Sequence, residues 1–216
     1  MRLLYSYHDS LGVVGRTVDP DIAYGVARPT PNDPRGPRPW VGMCMVASID
    51  GSTVVDGTSR LLSGPADHTV MVALRKHADT VMVGAQTVRG EGYGKPAKAG
   101  QRVAVVTRSG ALDMSSELFT SGAGYLIEPN ADGALDLFAA VAAMNGPYVQ
   151  LEGGPKLNAA MVEANLVDEI NLTISPRVTG GNSPRLTTGA PDVMHGYELH
   201  HVLESDGFVF LRYVRG

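Results

Sequence analysis

From Trp40 onward the chain is a succession of short apolar runs, each closed by glycine or a polar turn, with amphipathic stretches between them. Trp40–Ala47, Thr80–Val83 before Gly84, and Gln101–Thr107 are nearly continuous runs of Val, Ala and Met, the pattern of strands buried on both faces. Ser48-Ile49-Asp50-Gly51 reads as a turn, and Ser52–Val55 as a returning strand. Ser63-Gly64-Pro65 introduces a helix over Ala66–His77, with Val70, Leu74 and Ala78 on one side. Gly124–Ile127 is a brief strand, and Asp132 is placed to cap a helix over Gly133–Met144 that Asn145-Gly146 ends. Asp168–Ile174 alternates polar and apolar residues, which predicts a strand with one wet face. Ser175–Gly196, rich in Pro, Gly and Thr, reads as loop. Glu198–Leu203 and Phe208–Val214 form a hairpin around Ser205-Asp206-Gly207. These elements predict a mixed α/β sheet with helices on both faces, closed by a C-terminal β-hairpin. Residues 1–39 are weakly patterned and carry five prolines between Pro29 and Pro39, so they are expected to be an arm and connector ahead of a single domain, 40–216.

One stretch combines three local signals. The run Tyr148–Leu151 meets Gly153-Gly154, and Pro155 then opens a series of good helix formers up to Met161. Proline suits the first helical position, and two glycines allow positive φ and a close approach of backbone to a ligand. A strand, tight turn and helix in this order offer unpaired N–H groups and the positive end of a helix dipole to a phosphate. The same pattern also serves as a plain turn, and the residues alone leave both readings open.

Composition narrows the function. At 216 residues, 44% hydrophobic and with a net charge of -4, the chain gives no electrostatic reason to expect nucleic acid, so a small-molecule substrate is expected. Cys44 is the single cysteine, which excludes an internal disulfide and a multi-cysteine metal site and suits a reducing compartment. No apolar run has the length of a membrane span, and Met1–Tyr5 lacks a signal-peptide core, so a cytoplasmic location is expected. His200 and His201 are adjacent in a strand and point to opposite faces, and no metal is indicated. No serine stands on a Gly-x-Ser-x-Gly elbow.

Several motifs occur in an order that resembles one family. They are Ser48-Ile-Asp-Gly51, Ser63-Gly-Pro65, Leu74-Arg75, Val83-Gly84 with Thr87-Val88, Val106-Thr107, Glu152-Gly-Gly-Pro155 with Leu157, and Leu166-Val-Asp-Glu169 with Pro176 before Gly180-Gly181. Together they resemble the reductase domain of bacterial riboflavin-biosynthesis deaminase/reductases, a domain similar in fold to dihydrofolate reductase. The resemblance runs from Trp40 to the C-terminus. It implies a mostly parallel sheet and an NADPH-dependent reduction of 5-amino-6-(5-phosphoribosylamino)uracil to the ribitylamino product. The zinc deaminase half is absent, since one cysteine cannot supply its Pro-Cys-x-x-Cys motif.

By the same resemblance, Gly153, Gly154, Pro155 and Leu157 form the cofactor loop, with Ser48 and Thr87 on the cofactor side. Thr107, Arg108 and Ser109 follow a buried strand, where hydroxyls and a guanidinium suit the adenosine 2′-phosphate. Ser59, Arg75 and Glu152 match substrate-facing positions, and Arg75 is the candidate partner of the substrate phosphate. Glu91 matches an aspartate of the cleft and is the candidate proton donor, with Glu152 as its competitor. Two departures fall in the substrate region: Glu91-Gly92-Tyr93 replaces the family's Asp-Asp-Pro, and Cys44 stands where the bifunctional enzymes usually carry lysine. They leave open a pterin or dihydrofolate reductase, or a non-catalytic NADPH-binding sensor. Analogy with the family and the strand edges expected at Asp168–Ile174 and the final hairpin point to a homodimer.

Overall fold

The structure, a computed structural model, describes all 216 residues. Nine strands form one sheet: β1 (Arg2–Ser6), β2 (Trp40–Ala47), β3 (Thr80–Gly84), β4 (Arg102–Val106), β5 (Gly124–Ile127), β6 (Tyr148–Leu151), β7 (Glu169–Ile174), β8 (Glu198–Ser205) and β9 (Phe208–Val214). Their order is β1-β8-β9-β7-β2-β6-β3-β4-β5. All pairings from β7 to β5 are parallel, and β9, β8 and β1 close the other side antiparallel. The helices are α1 (Pro20–Tyr24), α2 (Pro65–His77), α3 (Ala85–Glu91), α4 (Glu117–Thr120), α5 (Leu137–Ala142) and α6 (Pro155–Glu163).

The two faces carry separate cores because side chains alternate along each strand. Val41, Met43, Met82, Ala104 and Leu151 pack with Leu137 and Val141 of α5 and Leu157 and Met161 of α6. On the opposite face α2 sets Val70, Ala73 and Leu74 against Phe210 and Leu203. Val81, Val83, Val103 and Val105 on that same face meet Ala85 of α3 and Leu118 of α4. Each fully buried aliphatic side chain contributes about 1.5–3 kcal/mol, so both faces are needed to hold the sheet.

Several expectations change on contact with the structure. Ser52–Val55 is not a strand, because Thr53 gives its N–H and its hydroxyl proton to the carbonyl of Pro184, and only Val55 makes an isolated bridge, to Thr58. The fifth helix starts at Leu137, not Gly133. Gly133 is left-handed at φ +78°, and it is Asp136, accepting from the Ala139 N–H, that caps the helix. α3 and α4 begin without side-chain caps and were not anticipated.

The polar face of β7 is the more buried one: Glu169, Asn171 and Thr173 are almost fully enclosed, while Ile170, Leu172 and Ile174 are half-buried. The wet face is therefore not wet. Glu169 is satisfied there by Arg28, Arg212 and Trp40. Nor is β7 an edge, since it lies between β2 and β9, and β8 is covered by β1. The open edges are β1 and β5, so the strand-edge argument for a second subunit no longer rests on β7 or the hairpin. In β1 only Leu3 and Ser6 are buried and the register shifts between Leu3 and Tyr5, which hides its period in the sequence. The proline-rich connector is fastened by Arg38, which bonds Asp168 at 2.6 and 2.8 Å and Asp33 at 2.9 Å.

Candidate functional site

The centre of the parallel sheet has a notch. β6 ends at Leu151, level with Met43 and Met82, whereas β2 runs on to Ala47 and β3 to Gly84. Beyond Glu152 the chain turns at Gly153 (φ +78°), and the Gly153–Gly154 peptide is cis. The Gly84 N–H donates to the Gly153 carbonyl at 2.6 Å. α6 and α3 leave the neighbouring strands β6 and β3 toward opposite faces, which opens a crevice at the carboxyl ends of the strands.

The corner is tight, and the left-handed φ of Gly153 favours glycine there. A Cβ on Gly153 would lie 2.9 Å from the Met45 sulfur, and one on Gly154 would lie 3.0 Å from Thr87 Oγ1, which brings Thr87 against the Gly153–Gly154 turn. Neither Gly84 nor Gly154, the N-caps of α3 and α6, offers a side chain to the first helical turn, and Pro155 occupies the first position of α6. The amides of Lys156 and Leu157 are thus without intrahelical partners. The Leu157 side chain itself is buried in the core beneath α6.

The turn after β4 is built by Thr107, whose buried hydroxyl accepts from the N–H groups of Ser109 and Gly110 at 3.3 and 3.1 Å. Arg108 and Ser109 are left exposed on its outside. Ser48 is turned inward: it donates to Asp50 Oδ1 at 2.5 Å and accepts the Ser52 N–H at 2.9 Å. Asp50 in turn takes the N–H groups of Thr179 and Gly180, joining this loop to the one after β7. The Ser48 bond, with those two amides, holds the Asp50 carboxyl down at about 2.

Glu152 is nearly enclosed, and its carboxylate accepts four hydrogen bonds. Arg75 forks onto it through Nε (2.6 Å, Oε1) and Nη2 (2.5 Å, Oε2), Gln150 Nε2 reaches Oε1 at 2.8 Å, and the Tyr93 hydroxyl closes on Oε2. The Arg75 guanidinium carbon lies 5.2 Å from the centre of the Tyr93 ring. Burial works to lower the Arg75 pKa, but the bonds and charge of Glu152 more than offset it and raise it above the ordinary range. Burial and then the Glu152 charge push the Tyr93 phenol well up, so it stays a donor. Cys44 is also held as a thiol, by burial first and then by the charges of Asp67 and Glu152.

Glu91, at the end of α3, has a different neighbourhood. Its Oε1 accepts from Ser59 N at 2.7 Å and Ser59 Oγ at 3.0 Å, and Arg60 Nε is 3.5 Å from Oε2. The structure thus joins Glu152 with Arg75, Glu91 with Ser59, and Gly154 with Thr87, while Ser48 is engaged within its own loop. Tyr93 and Gln150 escaped the sequence reading. The signal for Gln150 is a polar residue two before Glu152 in an otherwise apolar strand, hence on the same face. Tyr93 has none, because it reaches Glu152 from 59 residues away. No three His, Cys, Asp or Glu side chains gather as a metal site, and no helix is long and apolar enough to cross a membrane.

A comparison with curated proteins gives no match. Among solved structures, the chain is similar to a pyrimidine reductase-like protein from Corynebacterium diphtheriae (TM-score 0.73, 22% identity, covering 82% of this chain and 92% of that one). It is also similar to RibD of Acinetobacter baumannii (0.71, 19%, 83% and 58%) and to dihydrofolate reductase of Enterococcus faecalis, solved with NADP(H) (0.59, 14%, 82% and 96%). At these identities the likeness is one of fold, and the fold is dihydrofolate-reductase-like. Residues 39–206 match the family model described as the RibD C-terminal domain, so the chain belongs to that family.

Proposed function

We propose that this chain is an NADPH-dependent pyrimidine reductase that converts 5-amino-6-(5-phosphoribosylamino)uracil to its ribitylamino product. Family membership supports a reductase of riboflavin biosynthesis. The observation that carries the cofactor is the corner at Gly84 and Gly153–Gly154, where two uncapped helix N-termini flank a notch in the sheet. This donor set fits a diphosphate: the Lys156 and Leu157 amides are free of helical partners, and glycine keeps the approach clear. Arg108 and Ser109, exposed beyond β4, fit a 2′-phosphate.

When bound, NADPH supplies the hydride. Opening of the ribosylamino ring leaves a C=N bond, and reduction adds a hydride to its carbon and a proton to its nitrogen. In this reading the chain's own groups bind and orient: Arg75 holds the substrate side, the Thr107 turn presents Arg108, and Ser59 keeps its loop against Glu91.

The test follows NADPH oxidation with the phosphoribosylaminouracil and, in parallel, with dihydrofolate, alongside titration of NADPH and NADH. Turnover of the uracil and preference for NADPH are expected. Charge-assisted bonds of about 1.5–3 kcal/mol mean that Arg108→Ala weakens NADPH roughly tenfold or more and leaves NADH unchanged. Equal affinity for the two nucleotides rejects the 2′-phosphate assignment. Turnover of dihydrofolate alone reassigns the substrate to a pterin, and tight NADPH binding without any turnover makes the chain a sensor.

A further inference from the structure

Glu152 has about four lone-pair positions on its two oxygens, and four donors occupy them. Nothing remains on the carboxylate for a substrate to bond. The arginine that faces it is different. Nε and Nη2 of Arg75 are committed to Glu152, while Nη1 makes no hydrogen bond in the structure, and the side chain is 34% exposed against 6% for Glu152. Arg75 is thus the solvent-accessible partner of the pair, and Glu152 is the anchor behind it.

The geometry points to Tyr93 as a positioning residue: by closing the last acceptor site of Glu152 it fixes the carboxylate against Arg75, and so aims the free Nη1 at an acceptor oxygen of the substrate. Three separate elements meet in this arrangement. Arg75 comes from α2, Gln150 from β6 and Tyr93 from the segment after α3, so the carboxylate is gripped from three directions and its rotation is blocked. Tyr93 also packs with Val88 and Leu112 against the valines of β3 and β4, which holds the phenol in place. The residue lies in the Glu91-Gly92-Tyr93 stretch at the end of α3.

The kinetic part of this inference rests on the reductase reading, so the test has an arm that does not. Tyr93→Phe removes one oxygen and keeps the ring. In the parent protein, the Arg75 Nε–H, bonded to Glu152 at 2.6 Å, is expected to exchange slowly by nuclear magnetic resonance. In Tyr93→Phe that exchange is expected to quicken by roughly tenfold, the loss of one hydrogen bond to a charged group. KM for the uracil substrate is expected to rise by a similar factor, with kcat within about twofold and KM for NADPH unchanged, the signature of lost binding common to ground and transition states. Replacing Tyr93 with 3-fluorotyrosine strengthens the donor and moves the Arg75 exchange the other way, a check that survives if the phenylalanine variant fails to fold. Unchanged Arg75 exchange in both variants reduces Tyr93 to packing and overturns the proposal. A fall in kcat at constant KM overturns it differently, since Tyr93 then acts on the reacting atoms. If no substrate is turned over by the parent, the reductase reading fails while the exchange measurement still decides the role of Tyr93.

Discussion

Two buried carboxylates on the same face of the sheet, Glu152 and Glu169, are each held by a forked arginine, yet they serve opposite ends. Glu169 is enclosed with Arg28 and Arg212, whose side chains are 4% and 8% exposed, and takes further bonds from Trp40 and Asn171. No guanidinium of that cluster reaches solvent. Glu152 is nearly as buried, with 6% of its side chain exposed against none for Glu169, but its arginine is 34% exposed. Charge pairing alone therefore does not mark a site. What separates the structural cluster from the candidate functional one is whether a partner keeps unused, accessible donors.

Neutralising each carboxylate in turn separates the two clusters most strongly. Glu169→Gln leaves two buried cations without a counter-charge, and removing one partner of a buried pair typically costs about 3–5 kcal/mol. Urea unfolding should show a loss of that order. A loss below about 1 kcal/mol, the range of an exposed pair, would mean that the cluster is hydrated and the contrast is false.

Acid should find the same cluster. Burial alone pushes Glu169 up, but Arg212 and Arg28 outweigh it and hold the carboxyl at about 2, below its ordinary 4.5. His201, whose ring stacks edge-on to Tyr24, is depressed from 6.5 to about 3 by burial and then by Arg212. Both groups bind protons more readily when unfolded. Their stability is therefore complete above pH 6.5, falls through the histidine window between 6.5 and 3, and falls further through the glutamate window between 4.5 and 2. The slope is up to about 1.4 kcal/mol per pH unit for each proton. Unfolding free energies measured from pH 8 to pH 2 test this, and a flat profile between 6.5 and 5 removes His201 from the account. His201→Phe should flatten the upper window and leave the lower one.

Glu152→Gln is expected to cost less stability, about 1–2 kcal/mol, because the released Arg75 can hydrate through its open side. Its effect should appear on the substrate instead, as a raised KM with NADPH affinity unchanged. If Glu152→Gln destabilises as strongly as Glu169→Gln, then openness is not what distinguishes the two clusters.

How far the sequence shows this contrast depends on the distance over which each feature is written. The strands Trp40–Ala47, Thr80–Gly84 and Tyr148–Leu151, and the helix ending at His77, are local patterns of burial and capping, and the chain forms them within a residue or two of where they are expected. The glycine corner is also local. β7 shows the limit: its alternation identified a strand but not which side faces inward, since the partners that make a polar face buriable, Arg28 and Arg212, lie 141 and 43 residues away. The helix cap is a second case: Asp132 is expected there, but Gly133 is left-handed and Asp136, accepting from the Ala139 N–H, takes the role. At the site, motif matches named Arg75 and Glu152 separately, but their pairing across 77 residues, and the entry of Tyr93, are products of the fold.

The smallest effect expected is at Glu91. Its family match to an aspartate of the cleft argues for a proton donor, and losing a general acid costs about 10²–10⁴-fold in turnover. Its surroundings argue for a pin. Oε1 is taken by both the N–H and the hydroxyl of Ser59, Arg60 donates to the Glu91 carbonyl at 2.9 Å, and these contacts tie the loop between β2 and α2 to the end of α3. An amide in place of the carboxylate keeps an oxygen for Ser59 and loses only the charge near Arg60, whose side chain is largely exposed. Glu91→Gln should therefore leave kcat within about threefold of the parent, far from the 10² that marks a lost general acid, and Glu91→Ala should loosen the loop and raise KM for the substrate. Measured kcat and KM for both variants separate the two roles. A fall in kcat of a hundredfold or more in the glutamine variant, with KM unchanged, would return the proton to Glu91 and make its bond to Ser59 a resting contact that the substrate displaces.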